Sequence, residues 1–287
     1  MTSGKVDAYD FVMNPVSVRA PAVAGRFYPG ELDALAREVD GYLAPQGPAK
    51  GKIAEAIGCV VPHAGYMYSG HVAGAVYQIL PRRSRYIILG PNHWCRGAPL
   101  ALMSAGQWLT PLGRVSLDTE LANLLEERCG LLAEDREAHS AEHSLEVQLP
   151  FLQRLSDKFT FVPIAIGAAD YVSLDLLGRA VAQAVRDSQE PVLIIASSDM
   201  NHYEPDGITR EKDRKAIEKM LQLDPVGLLE VIRREDISMC GYGPAIVMLT
   251  AAKDLGAKRG QLIKYATSAD TGGDRQAVVG YAGIIVS

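Results

Sequence analysis

The sequence predicts an α/β protein, a single three-layer α/β/α domain built on a largely parallel or mixed sheet. Three observations support this fold class. Short runs of β-branched residues, typical of buried strands, recur along the 287 residues. Windows with helical spacing of apolar residues lie between them, and strands that alternate with helices imply a sheet covered on both faces. No repeat or long linker divides the sequence, so we predict one domain over 1–287, with 1–17 as an irregular N-terminal arm.

The elements follow from local patterns, taken here from the N-terminus. Strands are predicted where β-branched and apolar residues occur in short runs: 57–61, 86–89, 159–166, 192–196, 263–266 and 277–286. Helices are predicted where apolar residues recur every three or four positions: 31–43, 70–80, 118–129, 142–155, 174–187, 209–221 and 244–255. A Pro/Gly-rich break at 45–52 separates the first helix from the first strand.

Composition and missing motifs exclude several classes of function. The net charge is −5, so no basic surface for nucleic acid or an anionic membrane is expected. No apolar run reaches the roughly 18 residues of a membrane span, and the N-terminus lacks the apolar core of a secretory signal. The four cysteines form no CxxC pair, which is typical of reduced thiols. The motifs of serine hydrolases, P-loop nucleotidases and Rossmann dehydrogenases are absent. We therefore expect a cytoplasmic protein whose partners include neither nucleic acid nor a membrane.

Polar residues that a buried strand does not need follow three of the predicted strands. His63 follows the first strand, His93 the second, and Asp199 with His202 the fourth. If these strands are parallel neighbours, their carboxyl ends open on one crevice, which is where α/β sheets bind ligands. A lone histidine beside a glycine is usually only a turn residue, and the spacing is not a local metal motif such as HExxH. Three of the six histidines at strand ends nevertheless predict a shared polar site.

One of the four cysteines adds to this site. Cys240 precedes the predicted helix 244–255, whose first position suits Pro244. The dipole and free N–H groups of a helix N-terminus stabilise a thiolate. Cys59 and Cys129 are better interpreted as core packing. Cys95, two residues after a strand-end histidine, is the rival thiol.

Two further segments have open interpretations. His143 and Glu146 are three apart in a predicted helix and so share a face. The pair could orient a ligand or move a proton, but equally the segment could be an N-cap followed by acidic first-turn residues. The loop 268–274 could line a pocket, and we interpret it as a solvated turn.

Six segments, in order along the chain, resemble the motifs of the Memo family, whose prokaryotic branch is known as protein B of the AmmeMemoRadiSam system. They are 19–29 (RAPAVAGRFYP), 62–66 (PHAGY), 89–93 (LGPNH), 142–146 (EHSLE), 197–202 (SSDMNH) and 240–241 (CG). The resemblance covers nearly the whole chain. It implies a fold like that of the class III extradiol dioxygenases, which are non-haem iron enzymes, and other proteins of the AmmeMemoRadiSam system as partners.

The resemblance also implies a metal held by His63, His93 and Cys240, with Asp199 and His202 close by. Two histidines are too few for a tight divalent site, which usually takes three or more protein ligands. We predict Cys240 as the third ligand, with Asp199 as the alternative. The divalent metal that the resemblance implies first is Fe(II). A thiolate favours softer metals, so copper and zinc are alternatives.

The function that we expect first is an iron-dependent redox enzyme related to the dioxygenases. His202 would act as general acid/base, and Asp199 would orient it or a water at the site. A small molecule or a peptide is the expected ligand at the metal site. One alternative is a metal- or phosphopeptide-binding protein without turnover, and another is a metal-dependent hydrolase. Mammalian members bind phosphotyrosine peptides, but they carry Arg and His where this chain has Tyr242 and Gly243.

Overall fold

The computed structural model describes residues 17–45 and 55–287. The strands in these ranges are β1 (Val18–Arg19), β2 (Gly58–Val61), β3 (Arg85–Pro91), β4 (Leu100–Leu102), β5 (Gln107–Thr110), β6 (Gly113–Leu117), β7 (Ala133–Glu134), β8 (Thr160–Ile166), β9 (Val192–Ser197), β10 (His202–Glu204), β11 (Gly260–Thr267) and β12 (Val278–Val286). The α-helices are α1 (Leu32–Leu43), α2 (Tyr66–Tyr77), α3 (Thr119–Arg128), α4 (Glu137–Ser140), α5 (Leu149–Leu155), α6 (Tyr171–Asp187), α7 (Asp206–Leu221), α8 (Pro225–Glu235) and α9 (Tyr242–Asp254).

Two predictions concern residues outside these ranges. The N-terminal arm 1–17 lies outside the described residues except for Ser17, and most of the break at 45–52 lies outside them as well. The single-domain assignment over 1–287 stays a prediction. None of the helices that the structure describes is long and apolar enough to cross a bilayer.

Strands from distant parts of the chain form one sheet, in the order β1-β5-β6-β8-β3-β9-β2-β12-β10. From β6 to β2 the neighbouring strands run parallel. β12 pairs antiparallel with β2, and β10 and β11 pair antiparallel with β12. The predicted α/β fold with a mixed sheet is therefore confirmed. Because β3, β9 and β2 are adjacent and parallel, the residues that follow them meet at one edge of the sheet.

The central strands separate two apolar cores, one on each face of the sheet. In β9, Ile194 and Ala196 belong to the core that includes α3, α6, α7, α8 and α9. Leu193 and Ile195 point the other way, into the core that includes α1, α2 and α5. This alternation is the period of two expected for a strand that is buried on both faces. The helices therefore cover both faces and hold the carboxyl ends of the strands in fixed positions.

Several elements were not predicted from the sequence. The strands β4, β5 and β6 are only three to five residues long, so they carry too little periodicity to be recognised. β5 and β6 form a hairpin in which Gly113 has a φ of +118°, a conformation that favours glycine. Helix α8 had a local signal that the prediction missed: Asp224 caps its N-terminus by accepting from the N–H of Gly227, and Pro225 occupies the first turn.

The predicted helix 142–155 is wrong at its start. The α-helix begins only at Leu149, after a 3₁₀ turn over Glu146–Gln148. The carboxylate of Glu142 accepts the main-chain N–H groups of both His143 and Ser144, which holds the chain in a local turn. This departure from helical geometry matters for the site, because it directs Glu142 and His143 toward the carboxyl edge of the sheet.

Candidate metal centre

A cleft of about 600 Å³ opens at the carboxyl edge of the parallel strands. The five residues predicted for the site, His63, His93, Asp199, His202 and Cys240, all line it. The first two follow β2 and β3, and their ring centroids are 5.1 Å apart. This separation is short enough for one ion to contact both rings. The assignment of metal ligands and catalytic residues among the five stays a prediction.

The ring of His63 is held in one orientation by a buried hydroxyl. Its Nδ1 lies 2.9 Å from Oγ of Ser197, and that hydroxyl donates its own proton to the carbonyl of Ser144 at 2.6 Å. The Nδ1 of His63 must therefore be the donor, which leaves the lone pair on Nε2, the atom that faces Sγ of Cys240. Burial, followed by the charge of His93, lowers the pKa of His63 well below its usual value. A neutral imidazole with a free Nε2 is the form that ligates a metal.

His93 is oriented by a buried carboxylate. Its Nδ1 lies 2.9 Å from Oε1 of Glu142, and its main-chain N–H donates to Oε2 of the same side chain at 2.7 Å. Burial alone would raise the pKa of Glu142, but the hydrogen bond and charge of His93, the charge of His143 and the N–H of Ser144 lower it to about 2. The carboxylate is therefore ionised and accepts from Nδ1, so Nε2 of His93 is free. Carboxylate–histidine pairs of this kind support metal ligands in many proteins.

A third imidazole completes a compact group. The ring of His143 stacks on that of His93, with centroids 4.7 Å apart and planes 15° from parallel. The ring of Phe27 also contacts His143, with centroids 4.7 Å apart and planes at 61°. Burial, followed by the charge of His63, lowers the pKa of His143 to about 4. Ligand atoms of the three histidines all lie within 4.8 Å of one another. Imidazole nitrogens are donors that suit divalent zinc, copper or iron.

Cys240 lies beside this group without belonging to it. Its Sγ is 3.2 Å from Nε2 of His63, close to the roughly 3.5 Å that separates nitrogen and sulfur ligands on one tetrahedral zinc ion. Helix α9 begins two residues later, as expected. Burial, followed by the charge of Asp199, nevertheless raises the pKa of the Cys240 thiol, so the helix start alone does not produce a thiolate. A cation bound beside the sulfur would oppose this shift.

Asp199 and His202 also line the cleft and are held by contacts with main-chain atoms. Oδ1 of Asp199 accepts the N–H of His63 at 2.8 Å and of Ala64 at 3.3 Å. Burial raises the pKa of Asp199 above its usual value, although His202 and these N–H groups act against the shift. The Nδ1 of His202 donates to the carbonyl of Ser238 at 2.9 Å. The Nε2 of His202 is thereby left free to accept a proton.

The structure differs from the sequence predictions at Glu142, at the loop 268–274 and at Glu146. The sequence predictions assigned no role to Glu142, although the motif EHSLE contains it. The loop 268–274, interpreted as a plain turn, contributes Ser268, Gly273 and Asp274 to the cleft wall. Glu146, considered as a partner of His143, lies elsewhere. Its carboxylate accepts from Nη1 of Arg19 (2.7 Å), OH of Tyr28 (2.6 Å) and the N–H groups of Ala22 (2.7 Å) and Val23 (3.1 Å).

Replacing Glu142 by glutamine tests how His93 is held. A glutamine has one acceptor oxygen, whereas Glu142 now accepts from four N–H groups. Glu142→Gln is therefore expected to lower the affinity for Zn²⁺ or Co²⁺ by about ten- to a hundredfold, measured by competition with a chelator. Glu137→Gln, on the exposed surface of α4, is the matched control. An affinity within twofold of the wild type would mean that Glu142 does not support a ligand.

The fold and this cleft define an α/β/α protein of the class III extradiol dioxygenase-like fold, with a histidine group that could hold a divalent metal. Residues 19–285 match the family described as Memo-like protein. The chain belongs to the Memo family, as its motifs predicted.

Full-length relatives support this assignment. The chain is 41% identical over 279 residues to a MEMO1 family protein of Methanopyrus kandleri, covering 93% of this chain and 98% of the relative. It is 45% identical over 276 residues to one of Pyrobaculum arsenaticum, with the same coverage. Identity to one of Methanosarcina barkeri is 44% over 270 residues, covering 94% and 100% of the two chains.

One solved structure supports the fold alone. The crystal structure of an uncharacterized protein from Escherichia coli K12 matches with a TM-score of 0.57 and 15% identity. The match covers 79% of this chain and 98% of that chain.

Proposed function

We propose that this protein binds iron(II) at the histidine group and is a redox enzyme that acts on a small molecule in the cleft. The observation that carries the proposal is the pair of rings of His63 and His93, each fixed by a hydrogen bond at its Nδ1, so that the Nε2 atoms are the ligand atoms presented to one cleft. A cleft of about 600 Å³ is within the range of small-molecule sites. When bound, iron(II) would supply electrons to O₂ and open coordination positions for the substrate.

In this proposal His202 supplies proton transfer and Asp199 supplies orientation. Nε2 of His202 can take a proton from a substrate hydroxyl and later return it, since Nδ1 is committed to the carbonyl of Ser238. Asp199 fixes the main chain at His63, so it positions one histidine rather than acting on the substrate by itself. Phe27 closes one side by packing against the ring of His143.

The charge of the cleft favours this proposal over phosphopeptide binding. Among the described residues that line it, none is lysine or arginine, whereas Asp199 and Asp274 are acidic. Recognition of a phosphate group usually depends on arginine or lysine donors. Binding of an anionic phosphopeptide therefore has little support in this cleft.

The test uses protein loaded with Fe(II) without oxygen and then mixed with O₂ and a panel of catechols and other phenols. We expect O₂ consumption that depends on both iron and one of these compounds. His202→Gln should keep its metal and lower kcat by about a hundred- to ten-thousandfold, as expected for loss of a general acid/base. His71→Gln, a histidine of α2 outside the cleft lining, is the matched control.

Two outcomes would contradict the redox proposal, and a third would contradict the role of His202. Iron that is bound without O₂ consumption would favour a metal-binding protein without turnover. Hydrolysis by the zinc-loaded protein in the absence of O₂ would favour a metal-dependent hydrolase. Equal loss of activity in His202→Gln and His71→Gln would remove the specific role of His202.

A further inference from the structure

A buried carboxylate that does not line the cleft contacts the main chain of the segment 199–202. Asp213 is on α7 and has no exposed surface. Its Oδ1 accepts the main-chain N–H of Asn201 at 2.9 Å, and its Oδ2 accepts the hydroxyl of Tyr265 at 2.7 Å. A Cβ at position 280 would lie 1.8 Å from Oδ2, so only glycine, here Gly280, leaves room for the carboxylate. The packing around Asp213 is therefore fitted to a buried acid.

Asn201 connects this carboxylate to the cleft. It lies between Asp199 and His202, and its Oδ1 accepts from both N and Oγ of Ser238 at 3.0 Å. Ser238 in turn holds His202 twice: its hydroxyl accepts the N–H of His202 at 2.8 Å, and its carbonyl accepts from Nδ1. A displacement of Asn201 would therefore move both anchors of the His202 ring. Hydrogen bonds at the main chain and at the side chain of Asn201 therefore connect Asp213 to Ser238 and so to His202.

The groups that face Asp213 come from several elements. Burial raises the pKa of Asp213 to about 7, although hydrogen bonds from Tyr265 on β11 and from the N–H of Asn201 act against this shift. The charge of Arg210, one turn earlier on α7, also lowers the pKa, whereas that of Glu204 on β10 raises it. The neighbouring strand β12 contributes the glycine backbone described above. On the α8 side, the acid Glu235 is paired with a lysine of α7.

We propose that Asp213 is a positioning residue, whose ionised carboxylate holds the segment 199–202 and with it the His202 ring, and that protonation of Asp213 weakens this hold. A protonated carboxyl group keeps an acceptor oxygen but loses the charge that strengthens its hydrogen bonds. The segment then becomes less strongly tied to α7, and the His202 ring is less strictly oriented toward the cleft. This inference concerns the geometry of the protein and does not depend on which reaction the cleft performs.

The test follows the amide of Asn201 by NMR in the metal-free full chain, between about pH 5 and pH 9. We expect its shift to titrate with a midpoint near that of Asp213, about 7. Its exchange with solvent, corrected for the intrinsic effect of pH, should be about tenfold faster on the acid side, because a charge-assisted hydrogen bond becomes a neutral one. The measurement is repeated in His202→Gln, which removes the imidazole next to Asn201 in the chain.

Two variants complete the test. In Asp213→Asn the titration of the Asn201 amide should disappear. Tyr265→Phe removes a hydrogen bond that lowers the pKa of Asp213, so the midpoint should move to higher pH, and this variant keeps the inference testable if Asp213→Asn does not fold. The inference is overturned if the amide of Asn201 does not titrate, if its titration persists in Asp213→Asn, or if the midpoint is unchanged in Tyr265→Phe.

Discussion

Removing one imidazole from the cleft, by His63→Ala or His93→Ala, is expected to lower the affinity for Zn²⁺ or Co²⁺ by about a hundred- to a thousandfold. A four-ligand protein site binds Zn²⁺ with roughly 10–16 kcal/mol, so one ligand contributes about 3 kcal/mol. The effect should appear in isothermal titration and in metal content after dialysis. Because the Nδ1 of each ring is held by a hydrogen bond, which leaves Nε2 as the ligand atom, the loss should be similar in the two variants.

The absorption spectrum of the Co²⁺ protein, together with these affinities, decides which side chain is the third ligand. If it is Cys240, the Co²⁺ protein should show a thiolate-to-metal charge-transfer band that disappears in Cys240→Ser. The band should survive in Cys95→Ser, which changes an exposed thiol, and in Cys59→Ser and Cys129→Ser, which change buried ones. If His143 is the third ligand instead, there should be no such band, and His143→Ala should lower affinity as strongly as His63→Ala.

Two further outcomes would contradict these ligand assignments. Loss of the band in Cys95→Ser would assign the rival thiol as the ligand. An affinity that is unchanged within twofold in both His63→Ala and His93→Ala would mean that the histidine group does not bind the metal at all. His71→Ala, a histidine outside the cleft lining, serves as the control for general effects of removing an imidazole.

The position of the site could be predicted from the sequence because it depends on topology. The buried strands that precede His63, His93 and Asp199 are recognisable one at a time, and the parallel arrangement of a doubly covered sheet brings their carboxyl ends together. The same reasoning could not find Glu142. Its role depends on the turn that its carboxylate forms with the following N–H groups, and the local pattern there resembles a helix start. Tertiary contacts, and not periodicity, decide such a position.

The thiol at position 240 shows a second limit. A helix N-terminus lowers a thiol pKa when the sulfur is near solvent, and the sequence does not reveal how deeply it is buried. In the structure, burial and the charge of Asp199 oppose the helix effect. The role of His143 was open for a similar reason. Its distance from His63 and His93 depends on the turn at 142–145 and not on the spacing of residues along a helix.

Among the variants described, Glu146→Ala is expected to lose the most free energy of unfolding. Glu146 is fully buried, and Arg19, its ionic partner, is nearly so. The guanidinium also donates to the carbonyls of His139 at 2.6 Å and Glu142 at 2.5 Å, and it stacks on Trp108 at 4.0 Å. In Glu146→Ala this charge would stay buried without its counter-ion, which typically costs about 3–5 kcal/mol.

Urea unfolding of Glu146→Ala and of a surface control measures this cost. Asp40 pairs with Arg154 at 2.8 Å, but both side chains are 40% or more exposed, so Asp40→Ala should cost less than about 1 kcal/mol. Glu146→Ala should also disturb the wall of the cleft. Glu146 anchors the segment that carries Phe27, and the ring of Phe27 packs on His143. We therefore expect a lower metal affinity in Glu146→Ala, but not in Asp40→Ala. A cost of less than about 1 kcal/mol in both variants would contradict the anchoring role of Glu146 and leave the cleft wall dependent on other contacts.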